Sequence, residues 1–224
     1  MKRQIRAFLL GISLPIILAT AATAAPVTFA QTSLGSGFTF TNNAGTSASV
    51  TESSQVTVTC LSPTCPGINP AATLTLTAST VTPAQTAGPI DDQPVNGPSN
   101  VLKITLNTPY NGKSNFLTIN FSDADITAFD GDTNFSFSPP VGSTITSSSD
   151  FFNDTNVGFQ LSSADANPGI YIGPGGFLNS FSADVSGSFF GTPAVVAVPE
   201  PASFLLVGIG LASLGLTRRG SRRT

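Results

Sequence analysis

The sequence predicts an all-β protein: a single antiparallel β-sandwich, jelly-roll-like, flanked by an N-terminal signal peptide and a C-terminal transmembrane helix. Three observations lead there. From residue 25 onward Ser, Thr, Asn and Gly alternate with Val, Leu, Ile and Phe, the period-two pattern of half-buried strands. Clusters of Pro, Gly, Asn and Asp punctuate these runs, and the body shows no helical period. Finally, the apolar runs that could meet a membrane lie at the two ends of the chain.

The N-terminus begins with Lys2, Arg3 and Arg6, continues as an apolar run from Ala7 to Ala19, and ends in the small residues Ala22-Thr23-Ala24. This is the three-part layout of a secretory signal peptide, residues 1–24. Cleavage after Ala24 is favoured, because cutting after Ala25 would leave Pro26 directly behind the bond. The run is shorter than the ~20 residues a membrane span needs. Export by a Sec-type machinery follows. In an oxidising compartment, Cys60 and Cys65 in "TCLSPTCPG" read first as a local disulfide. Closing so short a loop stabilises by about 2 kcal/mol. Two cysteines without histidine cannot complete a tetrahedral zinc site within one chain.

The body, residues 25–197, supplies the strands. "SQVTVTC" sets Val56 and Val58 on one face against Thr57 and Thr59, and "ATLTLTA" repeats the pattern with Leu74 and Leu76. "VLKITLN" aligns Leu102, Ile104 and Leu106; "FLTINF" aligns Leu117, Ile119 and Phe121. "FLNSFSADVSGSFF" aligns Phe177, Asn179, Phe181, Ala183, Val185, Gly187 and Phe189. Between them, residues 82–100 and 167–176 read as breaker-rich loops, and Asn111-Gly112 as a hairpin turn. The phenylalanines, mostly within the strands, are expected in one core.

Charge narrows the function. Two lysines, Lys103 and Lys113, stand against eleven acids in the body, a net charge of −9. Such a surface repels phosphate backbones, which argues against nucleic acid as a partner. The chain has no histidine, so Ser-His-Asp and Cys-His catalysis are absent. The one acidic cluster, "NFSDADITAFDGDTNFSF", offers Asp123, Asp125, Asp130, Asp132 and Asn134 as oxygen ligands for calcium. It does not complete an EF-hand loop: Phe135 stands where glycine is needed, and the closing glutamate is missing. The alternative is that these residues make turns and keep an exported surface soluble. A glycosidase would need two such carboxyls about 5–10 Å apart across a cleft, which sequence proximity does not provide. A sugar platform would lean on Trp or Tyr, and the chain has no Trp and only Tyr110 and Tyr171. No cofactor is expected.

At the C-terminus, residues 202–217 are uncharged and mostly apolar. As a helix they measure about 24 Å, short of a ~30 Å hydrocarbon core. Arg218, Arg219, Arg222 and Arg223 follow directly and place that side in the cytoplasm. Val198, Pro199, Glu200 and Pro201 precede the run, and the two prolines keep the segment extended. In this order and position, residues 198–224 resemble the PEP-CTERM sorting signal of Gram-negative bacteria. That resemblance implies recognition and processing by an exosortase, with a transient stay in the inner membrane. It also implies arrival at the cell surface or extracellular matrix, in company with exopolysaccharide. It implies a route and no activity for the body. The expectation is therefore a non-enzymatic exported surface or matrix protein. Its alternatives are a calcium- or carbohydrate-binding module and a secreted polysaccharide-active enzyme.

Overall fold

Alternation dictates strands, and the strands here are antiparallel throughout. The computed structural model describes residues 27–61, 69–152 and 155–192. The expected signal peptide with Ala24 and Ala25, Cys65, and the whole tail from Val198 lie outside them, as does the expected span 202–217. Among the described residues no helix is long and apolar enough to cross a membrane.

The described residues form thirteen strands: β1 Val27–Thr32, β2 Gly35–Asn42, β3 Ala48–Cys60, β4 Ala71–Thr80, β5 Gln85–Ala87, β6 Ile90–Val95 and β7 Asn100–Tyr110. They continue with β8 Lys113–Phe121, β9 Ala124–Phe129, β10 Phe135–Ser138, β11 Ile145–Ser148, β12 Thr155–Ser163 and β13 Phe181–Thr192. Their order across the sheet is β11-β8-β7-β4-β3-β1-β13-β12-β10-β9-β6-β5. β2 extends the line of β1 between the same neighbours, β13 and β3. Hairpins thus alternate across the midline: β3–β4 and β7–β8 on one side, β5–β6 and β9–β10 on the other.

The sheet folds over on itself, because residues far apart in this order touch. The ring of Phe121 of β8 lies 5.1 Å from that of Phe159 of β12, tilted, and 6.0 Å from that of Phe137 of β10, edge-on. Phe38 of β2 meets Phe135 of β10 at 5.0 Å. One continuous core results, with Phe29, Phe38, Phe116, Phe137, Phe159 and Phe189 fully buried. Every apolar residue aligned from sequence in the β3, β4, β7, β8 and β13 runs is buried, as the period required. β13 is decisive for the architecture, since the last strand of the body sits centrally and joins the two halves.

The Asn111-Gly112 turn forms as expected. Both residues have positive φ, 52° and 76°, and Tyr110 pairs with Lys113. The expected 82–100 loop does not form; it contains β5 and β6, turning at Gly88 with φ 67°. The breakers misled because Pro94 sits inside β6. It lies past the last residue paired with β5, where one flank of β6 carries no ladder. The 167–176 connection stays outside the strands, with a short 3-10 turn at Pro174–Gly176. It is held by buried amides instead. Asn179 accepts from the Tyr171 N–H at 2.7 Å and donates to the Gly169 carbonyl at 3.1 Å. Gln93 accepts from the Leu178 N–H at 3.2 Å. That explains why Asn179 shares the buried parity of β13 although the strand starts only at Phe181.

Candidate functional site

β9 decides the fate of the acidic cluster. Asp123 and Asp125 stand at its start, whereas Asp130, Asp132 and Asn134 lie past its end. Six extended residues separate the two groups by about 20 Å. The five expected oxygen ligands therefore do not share one site. Among the described residues no group of three or more Asp, Glu, His or Cys is placed to hold a metal ion.

Two of the carboxylates have local tasks. Asp123 accepts from the hydroxyls of Ser122 and Ser143, tying the loop after β10 to the start of β9. Asp132 Oδ1 accepts from the Thr133 N–H at 2.7 Å, the Asn134 N–H at 3.2 Å and Asn134 Nδ2 at 2.8 Å. These bonds hold its pKa below the ordinary carboxylate value. The Asp130 N–H donates to the Pro89 carbonyl at 2.9 Å, docking the β9–β10 turn on the β5–β6 turn. Asp125 behaves differently: burial first, then Asp92 and Asp123, push it up to about 6. Asp92 stands on the neighbouring strand β6, two residues from Pro94, the partner of Asp125.

Glu52, in sequence only one of the body's eleven acids, is the most perturbed carboxyl among the described residues. Glu52 is 3 % exposed, and neither oxygen finds a hydrogen-bond partner. Burial, with a smaller push from Asp184, raises its pKa to about 7. Ser54 Oγ is near enough to draw it down somewhat, yet makes no bond of acceptable geometry and is itself unpartnered. The signal was present in "ASVTESSQVTV": Glu52 shares the parity of Val50, Val56 and Val58, so the strand must turn it inward.

The outer faces of the two halves differ in chemistry. On one half, cross-strand rows run Thr51–Thr77–Val101–Asn120–Thr146 and Ser53–Thr75–Lys103–Thr118–Ser148. A third row, Gln55–Thr73–Thr105, is knit by Gln55 Nε2 donating to Thr73 Oγ1 at 2.9 Å. Glu52 is the single acid in the six strands of that half, and it points inward. The other half carries Asp92, Asp125 and Asp184 on its strands. A cleft of about 420 Å³ opens where Pro140, Val141, Ile145, Val157 and Phe190 approach, with no titratable side chain among its lining residues. Gly158 makes it possible, since a Cβ there would strike the Phe190 ring at 2.3 Å.

Cys60, at the end of β3, is disulfide-bonded; Cys65 lies outside the described residues. The fold and these sites define an antiparallel all-β body whose clearest functional signal lies in the chain beyond it. Residues 197–223 match the PEP-CTERM protein-sorting motif, and the chain carries that motif. The match includes Val198, Pro199, Glu200 and Pro201 together with Arg218, Arg219, Arg222 and Arg223. It supports a sorted, exported protein whose tail an exosortase recognises, with membrane-associated processing. No curated protein and no solved structure matches the chain.

Proposed function

We propose that this is a non-enzymatic cell-surface or extracellular-matrix protein. It is exported by a Sec-type route, held briefly in the inner membrane by residues 202–217, and released to the surface by an exosortase. The observation that carries this reading is the sorting motif at residues 197–223, which follows shortly after β13, the last strand among the described residues. The body is a β-sandwich, jelly-roll-like in that its hairpins cross between two facing halves around one core; the aromatic contacts between those halves support this. The hydroxyl- and amide-rich outer face of one half suits an extracellular setting in which exopolysaccharide is the main neighbour. Replacing Pro199 and Glu200 by Ala should leave the protein at its unprocessed size in cells that contain exosortase. An unchanged mature size would remove the processing step from the proposal.

A further inference from the structure

The sheet places both routes to the membrane at one end of the body. Val27, which begins β1, pairs with Gly191 near the end of β13. From there the register carries the same end across the molecule. Ala30 pairs with Cys60, Thr57 with Ala71, Ala72 with Leu106 and Tyr110 with Lys113 on one side. On the other side Thr155 pairs with Thr192, and β10 runs toward the same end before the exposed Val141. Leu61, Tyr110, Lys113 and Val141 therefore lie with the two chain ends. Val81, Phe129 and Tyr171, also exposed, lie at the opposite end with the Asp130–Asn134 turn.

We infer that, while the tail is retained, the Leu61–Tyr110–Val141 end abuts the membrane surface and the Val81–Phe129–Tyr171 end is the one presented outward. This rests on the sorting route proposed above. The reason is length. Nine residues, 193–201, separate β13 from the apolar run, and fully extended they reach about 30 Å. β13 alone, twelve residues long, measures about 40 Å. The body cannot turn its far end onto the bilayer, because that would hold its point of attachment farther away than the tether reaches. Tyr110 and Lys113 suit a headgroup region, the one by its amphipathic ring and the other by its charge.

The test uses the full-length chain with its tail retained, prepared from cells lacking exosortase and reconstituted in vesicles. A fluorophore is attached at Val141→Cys or Lys113→Cys for the near end, and at Val81→Cys or Tyr171→Cys for the far end. An energy-acceptor lipid in the bilayer should abolish most of the fluorescence at the near positions and leave most of it at the far ones. Inserting a long flexible segment after Thr192 should erase that difference. Equal loss at both ends in the original chain, or a reversed order, overturns the orientation. A protein that fails to fractionate with membranes in those cells overturns the sorting route itself.

Discussion

Glu52 on β3 and Asp132 in the β9–β10 turn carry the same functional group under opposite conditions. Glu52 is buried with no donor on either oxygen, and its pKa rises to about 7. Asp132 faces solvent, gathers three N–H donors, and its pKa falls. An acid is set by what surrounds it: one stands opposite Leu76 in the ladder and under the core, the other closes a turn. The same contrast bears on the acidic cluster of the sequence, whose members are parted by β9 and form no group of three acids placed for a metal among the described residues. Asp123 and Asp132 are occupied with hydroxyl, backbone and amide donors, while Glu52, whose oxygens have none, is buried on β3.

That comparison can be tested by substitution. The largest effect is expected in the core around Glu52. Phe38→Ala removes a ring that contacts Phe135, Phe137 and Phe181, and should cost about 3–5 kcal/mol in denaturant unfolding. Next is Glu52→Gln. Because the folded pKa of Glu52 is raised above its model value of 4.5 to about 7, its contribution to stability is fully present below pH 4.5 and is lost as pH rises through 7. The wild type should therefore lose up to about 3 kcal/mol relative to the Gln variant across that window. Parallel stability curves for the two proteins would show that Glu52 is not buried as a neutral acid.

Asp132 should show the reverse sign at smaller size. Its lowered pKa contributes stability above the ordinary carboxylate value, which is lost as pH falls through the folded value. Asp132→Asn keeps an oxygen for the turn and removes the titration, so its stability should vary less than the wild type's between pH 4 and pH 2, read by thermal melts. Smallest of all is Thr75→Val in the middle of the hydroxyl face, expected within about 0.5 kcal/mol of the wild type. A larger loss there would mean that the outer rows bear on stability as the core does.

Much of the fold was legible because strand period is local. The buried parity of Val56, Leu74, Ile104 and Ile119 needs only the residues on either side, and the Asn111-Gly112 turn needs only its own backbone. β5 and β6 were hidden for the same reason: Pro94 breaks the local pattern, while β9, whose pairing holds β6, lies well down the chain, with Ile90 opposite Phe129 and Val95 opposite Ala124. The sorting motif was equally readable, since it lies in the order of residues along one short stretch of chain, 197–223.

What the sequence by itself determined, then, is which residues face inward on the strands it marks, where the chain makes its tightest hairpin, and which tail it bears. The tertiary structure alone decided that β13 joins the two halves, that β9 parts the aspartates, that Glu52 loses its water, and that Val27 and Gly191 stand side by side. Each of those depends on which strand pairs with which. That choice is settled by the shared core, through contacts between residues that no short window of sequence contains.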